Sequence, residues 1–108
     1  ASGVQYLTTS DKRLKTSIQP LSIGLNELLE IQPRDYVWKN SLESSKGFIA
    51  QELYNIYPEA VFSPQNENEY WLVDYGKLTP LLVKAIQDQQ VIIDELKERI
   101  LKLENKIK

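Results

Sequence analysis

Ser10 and Lys15 are the residues of this sequence whose types suit covalent chemistry. A serine hydroxyl attacks a carbonyl when a neighbouring group takes its proton, and a lysine takes it only as the neutral amine, which burial or nearby positive charge favours. Acting on its own backbone, such a pair would cut the chain. The spacing does not by itself bring the two together, because positions five apart point to opposite faces of a strand and lie more than a quarter turn apart on a helix.

The pair therefore needs a local bend or a second subunit. A bend at Asp11 and Lys12 would bring the two side chains together, and so would a serine of one subunit that meets a lysine of another. The alternative is a solvated Ser-Asp turn ahead of a basic strand, with no chemistry. The sequence has no cysteine and no histidine, which excludes thiol nucleophiles, imidazole bases and the usual zinc ligands. We expect no cofactor and no metal.

Composition predicts one soluble globular domain. The 108 residues are 42% apolar and 26% charged, with a formal net charge of -2. Basic residues are scattered among acidic ones, so we expect no nucleic-acid partner. The apolar runs are too short to span a membrane and no secretion signal is visible, so we expect no membrane partner either. No small-molecule ligand is predicted.

The first two thirds of the chain predict a small antiparallel sheet with short helices. A basic strand from Leu14 to Pro20 leads into a helix that Ser22 caps, with an apolar stripe of leucines from Leu21 to Leu29. A polar loop at 39–47, rich in serine, separates two further strands, and a turn-rich loop at 63–69 separates the last two. The predicted strands are 36–38, 48–50, 60–62 and 70–73, with a short helix at 51–57.

A long helix with a heptad repeat is predicted to run to the C-terminus. Thr79 is its expected N-cap and Pro80 its first helical residue. The apolar seam would stay in water on a lone helix, so we expect self-association. The alternative is that this helix folds back on its own domain. The seam consists of Ile86, Ile93, Ile100 and Ile107 at position a, and of Leu82, Gln89, Leu96 and Leu103 at position d.

The number of subunits is not decided by the heptads. Isoleucine at a with leucine at d favours two strands, whereas the amide of Gln89 in the core, with Ala85 and Ile92 at g, suits a higher order. Arg99 at g would face Glu104 at e of a neighbour, which favours a parallel arrangement. Each such exposed pair contributes only a few tenths of a kcal/mol.

Three separated motifs, read in order, resemble one known family. They are Ser10-Asp11-Lys12-Arg13-Leu14-Lys15, then Gly47 to Leu53 with Tyr57 to Val61, then Tyr75, Leu78 and Pro80 to Ile86. Together they resemble the C-terminal intramolecular chaperone of phage endosialidases, tail spikes and tail fibres. The resemblance implies an α+β homotrimer with a small sheet and short helices as a head and a parallel trimeric coiled coil behind it. Its implied domains are 1–9 as passenger remnant or linker, 10–78 as chaperone head and 79–108 as oligomerisation helix.

The resemblance also implies an activity. Ser10 matches the nucleophile and Lys15 the lysine of a Ser-Lys dyad, in an autocatalytic serine endopeptidase that acts once, in cis or between subunits. Cutting is expected at the peptide bond between Ser10 and Asp11. Thr9, the residue before Ser10, and Asp11 flank the site. Attack of Ser10 on its own carbonyl would close a strained four-membered ring, whereas attack on the Thr9 carbonyl closes a five-membered one but cuts before the serine. Which carbonyl is attacked stays open.

The family implies a trimeric clamp that aids folding of an upstream, β-rich passenger in the same polypeptide. It would act in the host cytoplasm during virion assembly and be released from the fibre after cleavage. One rival is a structural trimerisation domain that never cuts, and another is the self-releasing domain of a membrane-tethered transcription factor. A third is a carbohydrate-binding module built on Tyr54, Tyr57, Tyr70, Trp71 and Tyr75.

Overall fold

Two small antiparallel hairpins and two short helices form a head, from which one long helix extends. The computed structural model describes residues 7–107. The predicted α+β fold class is confirmed. The trimeric coiled coil stays a prediction, as do the domain boundaries, and much of the predicted segment 1–9 lies outside the described residues. The elements are α1 (Leu25–Leu28), β1 (Arg34–Val37), β2 (Ser44–Gly47), α2 (Ala50–Tyr54), β3 (Val61–Phe62), β4 (Leu72–Val73) and α3 (Leu78–Ile107), with 3-10 turns at Lys12–Leu14, Pro58–Ala60 and Tyr75–Lys77.

The first hairpin pairs β1 with β2, in a register that sets Arg34 opposite Gly47. Its second strand starts earlier than predicted, since Ser44 and Ser45, assigned to a loop, are part of the ladder and 48–50 is not a strand. The reason lies in the turn. The Trp38 N–H donates to the Glu43 carbonyl at 2.9 Å and the Leu42 N–H to the Trp38 carbonyl at 2.8 Å. Leu42 takes a left-handed φ of 59°, which reverses the chain within a few residues.

The second hairpin confirms the predicted pairing in a shorter form. Val61 lies opposite Val73 and Phe62 opposite Leu72. The Asp74 N–H donates to the Ala60 carbonyl at 2.7 Å and continues the contact past the last strand pair. This hairpin therefore delivers the chain from β4 directly to the start of the long helix.

The core lies where α2, the turn after it and the first turns of α3 meet. Leu53 and Leu81 are its largest fully buried side chains. Tyr57 packs beside them and its hydroxyl donates to the Lys77 carbonyl at 3.0 Å, while burial raises the pKa of this phenol. The buried set is Leu53, Tyr57, Ala60, Leu78, Leu81 and Ala85.

Replacing Leu81 by alanine is expected to destabilise the head by about 2–5 kcal/mol, because it leaves a cavity where the side chain has no exposed surface. The free energy of unfolding in denaturant measures the loss. Val83 lies two positions along the same helix and is 51% exposed. Val83→Ala is the control and should change stability by less than about 0.5 kcal/mol. Equal losses in both variants would contradict this placement of the core.

The long helix begins one residue before its expected cap. Asp74, not Thr79, provides the side-chain acceptor, and the Gly76 N–H donates to its carboxylate at 3.1 Å at the start of the 3-10 turn that runs into α3. Pro80 is consequently the third helical residue, where its missing N–H still costs no intrahelical bond. The alternative that this helix folds back on its own domain holds for its first turns only, because the helix is exposed from Gln89 to Ile107.

The predicted first helix is reduced to a single turn that is held against α3. Gly24, not Ser22, occupies the N-cap, and its N–H donates to the Glu27 carboxylate at 2.6 Å. The Leu25 N–H donates to Asp88 of α3 at 3.0 Å. A side chain at Gly24 would overlap the Asp88 carboxylate. With glycine at this position the carboxylate approaches the backbone closely, and its contact with the Leu25 N–H places the helix start later than the leucine pattern indicates.

The Asp88 carboxylate makes this contact sensitive to acid. A hydrogen bond from the Lys84 side chain, at 2.7 Å, is the main reason that the pKa of Asp88 lies below its ordinary value, and the Leu25 N–H adds to it. A carboxyl with a lowered folded pKa adds stability above its unfolded pKa and loses it as the pH falls through the folded pKa. This contribution to stability is therefore lost at pH values below about 4.

Asp88→Asn is expected to lower the melting temperature at pH 7 and to narrow the difference between pH 7 and pH 3. The amide keeps an oxygen for the Leu25 N–H but loses the ion pair with Lys84. Asp94→Asn is the matched control, since Asp94 lies on the same helix and accepts a hydrogen bond from Gln90. An unchanged pH dependence in Asp88→Asn would show that this carboxylate does not cause the acid sensitivity.

Candidate functional site

Ser10 and Lys15, the candidate nucleophile and base, flank a tight turn at the start of the described chain. Lys12–Leu14 form one turn of 3-10 helix. The strand predicted from Leu14 to Pro20 is wrong, since these residues belong to no strand of the described chain. Asp11 accounts for the difference, because its carboxylate accepts the Arg13 N–H at 2.8 Å and caps the turn.

The turn brings Ser10 and Lys15 together within one chain. Lys15 Nζ lies 2.6 Å from Ser10 Oγ, and the ammonium donates to the hydroxyl. The bend at Asp11 and Lys12 that the pair needs is thus present, and the contact itself needs no second subunit. The same distance serves proton transfer in the opposite direction when the lysine is neutral.

An ion pair between Asp11 and Arg13 accompanies this contact. The Arg13 guanidinium donates from Nε and Nη2 to both carboxylate oxygens, at 2.8 to 3.2 Å. This hydrogen bonding is the largest cause that lowers the pKa of Asp11, and it raises the pKa of Arg13. Sequence reasoning placed Asp11 in the required bend and at the flank of the cleavage site, without its capping bond, and gave Arg13 no role beyond a position in the family motif. Opposite charges two positions apart beside a candidate nucleophile were the available signal.

The site is open to water in a single subunit. Every residue from Leu7 to Pro20 is exposed, including Thr9 and both members of the pair. Leu14 is 74% exposed and Ile18 is 64% exposed, although both are large apolar side chains. The head therefore neither buries the lysine nor shields the backbone next to Ser10.

The predicted seam of the long helix is also uncovered. Its apolar members range from 39% exposed at Ile93 to 85% at Ile107, which is unusual for a contiguous stripe on a single soluble subunit. Ala85, expected to widen this face, is 1% exposed because it packs in the head of its own chain. The exposed seam is made of Leu82, Ile86, Gln89, Ile93, Leu96, Ile100, Leu103 and Ile107.

The aromatic residues considered for carbohydrate binding do not form one platform. Tyr57 belongs to the core. Tyr54 packs edge-on against Trp71, with ring centroids 5.3 Å apart, and Tyr75 stacks on Phe48. Tyr70 is 87% exposed. Most of these side chains thus contact protein, and the geometry gives the carbohydrate hypothesis no support.

The described residues, 7–107, offer neither a candidate metal site nor a candidate membrane span. Within this range, three or more carboxylates do not gather into a potential metal site. The helices that the structure describes are too short or too polar to cross a membrane.

The described chain thus combines a compact head, in which a serine and a lysine are in contact, with a long helix whose apolar seam is uncovered. Residues 10–62 match the model of the family described as the chaperone of endosialidase, which is a peptidase family. The match confirms, for this segment, the family resemblance predicted from the sequence.

Two curated relatives extend the comparison over most of the chain. The long tail fiber proteins Gp37 of Enterobacteria phages K3 and T2 are each 25% identical to it over 99 residues, which cover 85% of this chain. The same alignments cover 8% and 7% of those proteins. The chain thus spans less than a tenth of the length of these relatives.

Proposed function

We propose that this chain is an intramolecular chaperone of a phage tail spike or tail fibre. It trimerises, promotes folding of the upstream part of the same polypeptide, and then releases itself by autoproteolysis next to Ser10. Support for the chaperone role comes from the family match over residues 10–62 and from the tail fibre relatives. Support for the cleavage comes from one observation above all, the 2.6 Å contact between Lys15 Nζ and Ser10 Oγ.

The cleavage step follows from this contact. Ser10 Oγ bonds to the attacked carbonyl carbon while its proton moves to the neutral Lys15 amine, and the carbonyl π electrons move to the oxygen. Collapse of this intermediate breaks the C–N bond, and the lysine returns its proton to the leaving nitrogen. Water then hydrolyses the ester on Ser10, which frees a carboxylate and restores the hydroxyl.

The size of the ring that forms when Ser10 Oγ attacks a carbonyl carbon of its own chain determines which peptide bond is cut. Attack within one chain closes a five-membered ring at the Thr9 carbonyl and cuts before Ser10. Cutting between Ser10 and Asp11 requires the serine of a neighbouring subunit, since attack on its own carbonyl would close a four-membered ring. The C-terminal fragment then begins with Ser10 in the first case and with Asp11 in the second, so its mass separates the two.

Assembly provides a reason for the site to act late. In one subunit the lysine is exposed, and water stabilises its ammonium form. A neighbour packed over Leu14 and Ile18 would exclude water from the turn and favour the neutral amine that accepts the proton. Cleavage would then await the trimer, so that the clamp is not lost before it has acted.

The chaperone role has a physical basis in chain entropy. A fibre of three intertwined β-rich chains forms contacts between distant residues, and the loops and chains must be aligned before those contacts stabilise it. A C-terminal clamp holds three chains in register and raises their local concentration. After the clamp is removed, the fibre unfolds slowly because the domain that nucleated its folding is absent. We place these events in the host cytoplasm, during virion assembly.

Mass spectrometry of the refolded chain tests the proposal. The natural chain is expected to split next to Ser10, and Ser10→Ala is expected to stay whole while it reaches the same oligomeric state. Ser22→Ala is the control, because it removes an exposed serine hydroxyl away from the turn. A natural chain that forms trimers and stays whole would contradict cleavage.

The second candidate function is a trimerisation domain that does not cut. The exposure of the whole segment from Leu7 to Pro20 favours it, because an exposed lysine lacks the environment of a general base. Persistence of the uncut natural chain in assembled trimers would support this function.

A further inference from the structure

The turn that joins Ser10 to Lys15 receives little support from the rest of the molecule. Every residue from Leu7 to Pro20 is exposed, and the 3-10 turn at Lys12–Leu14 has no buried residue. The geometry of the Ser10–Lys15 contact therefore depends on bonds within the turn itself. A five-residue spacing has many other conformations in which the two side chains lie apart.

Two backbone hydrogen bonds define this turn, together with a fork of side-chain hydrogen bonds. The fork is the set of bonds that the Arg13 guanidinium donates to both oxygens of the Asp11 carboxylate. The Leu14 N–H donates to the Asp11 carbonyl at 3.0 Å and the Lys15 N–H to the Lys12 carbonyl at 3.1 Å. A short 3-10 turn has weak backbone bonds and is seldom stable alone. The Asp11 carboxylate adds a third support, since one oxygen accepts the Arg13 N–H at 2.8 Å and both oxygens accept the guanidinium.

The arginine thus holds the capping carboxylate from the opposite side. Nη2 lies 2.8 Å from one Asp11 oxygen, and Nε lies 3.2 Å from each. A planar guanidinium that spans both oxygens fixes the orientation of the carboxylate, which a single ammonium cannot do. With the cap fixed, the start of the turn at Ser10 and its end at Lys15 keep their relative positions.

We propose that Arg13 is a positioning residue for cleavage, which holds Ser10 Oγ against Lys15 Nζ through its fork on Asp11. The inference rests on the proposed self-cleavage and deepens it. Arg13 touches neither the reacting hydroxyl nor the lysine amine in this arrangement, and its effect on the rate passes through the shape of the turn.

Exposure of this ion pair does not weaken the inference. Exposed pairs contribute little to overall stability, although bidentate geometry is the exception. The Arg13 side chain is 87% exposed, so its loss should leave the head folded. A rate responds more strongly than stability, because a misplacement of about 1 Å between reacting groups costs about 10²-fold.

A set of five variants of the full chain tests the inference. Arg13→Ala removes the fork, Arg13→Lys keeps the charge without the fork, and Asp11→Asn keeps a capping oxygen without the ion pair. The double variant Asp11→Asn with Arg13→Ala measures their coupling. Lys46→Ala is the matched control, because Lys46 is about as exposed as Arg13 and forms an exposed ion pair with Asp35 on the first hairpin. The rate of chain splitting after refolding is followed by mass spectrometry, with melting temperature and oligomeric state measured alongside.

Arg13→Ala is expected to cut about 10–10²-fold more slowly than the natural chain, with an unchanged melting temperature. The double variant should be no slower than Arg13→Ala, and Lys46→Ala should cut at the natural rate. Arg13→Lys should recover only part of the rate.

Two results would overturn the inference and leave the proposed function standing. One is an Arg13→Ala chain that splits at the natural rate. The other is full recovery in Arg13→Lys, which would assign the effect to positive charge near the lysine. A natural chain that stays whole would overturn the proposed cleavage and this inference together.

Discussion

Lys15→Arg is expected to stay whole although it keeps the positive charge and reach of the natural side chain. Arginine cannot lose its proton in a protein, so it can hydrogen bond to Ser10 Oγ but cannot accept the proton of the hydroxyl. General base catalysis commonly contributes 10²–10⁴-fold to a rate. We therefore expect both Lys15→Arg and Lys15→Ala to cut at least about 10²-fold more slowly.

The arginine variant separates two roles that the 2.6 Å contact allows. If the lysine only orients the hydroxyl or neutralises charge, arginine should restore a large part of the rate lost in Lys15→Ala. If the lysine is the base, the two variants should be equally slow.

Lys12→Arg provides the matched control for these substitutions. It makes the same chemical change in the same turn, three positions earlier, on a side chain that is not part of the serine contact. Its rate should equal that of the natural chain. A similar loss in Lys12→Arg and Lys15→Arg would contradict the assigned base, since it would show that the same substitution slows cutting even on a lysine outside the serine contact.

The predictable parts of the fold were those that a periodic pattern specifies. The isoleucines and leucines from Leu82 to Ile107 indicate one long helix, and α3 runs to Ile107. The paired strands around 61 and 73 also follow from apolar runs on either side of a polar loop. The helix start was less predictable, because Asp74 caps through an intervening 3-10 turn, whereas the sequence indicates Thr79 as a simple N-cap.

The errors in the predicted element boundaries have two causes. One is a contact between residues distant in sequence, and the other is an unusual backbone angle. The late start of α1 depends on Asp88, which lies 63 positions away from Leu25. The early second strand depends on a left-handed leucine at position 42, a residue type that seldom adopts this conformation. Neither event leaves a local pattern in the sequence.

The candidate site was predictable in its members but not in its support. Residue chemistry pointed to Ser10 and Lys15, the family resemblance matched both to a dyad, and their spacing required a bend. The source of the bend is the carboxylate of Asp11, held by Arg13. The sequence pattern favoured a strand at this point because Leu14 and Ile18 would share one face of it, but the ion pair between Asp11 and Arg13 and the N-cap decided the local conformation.

Replacing both Ile93 and Ile100 by aspartate is expected to leave the chain monomeric at micromolar concentrations. The two side chains lie at successive a positions of the uncovered seam and are 39% and 53% exposed in one subunit. Burial of each contributes about 1.5–3 kcal/mol per chain in an assembled coil. Loss of both buried side chains therefore lowers the association constant by about 10²–10⁴-fold per chain, before the repulsion of the new charges is added.

Val91→Asp with Leu101→Asp is the matched control, since it makes the same kind of change on the outward positions f and b of the same helix. Both side chains are exposed, at 57% and 59%, and a coil that uses the a and d seam leaves them in water. Sedimentation should give trimers for the natural chain and for this control, and monomers for the seam variant. Equal effects of the two pairs would show that association does not use the seam.

The seam variant also tests whether assembly controls cleavage. Its Ser10 to Lys15 turn is unaltered, because the substitutions lie far along α3 from the head. If a neighbouring subunit completes the site, the monomeric variant should stay whole, and a higher protein concentration that restores trimers should restore cutting. A monomer that splits at the natural rate would instead make the turn sufficient by itself. The role of the trimer would then be confined to aligning the upstream chains, with nothing to delay the loss of the clamp.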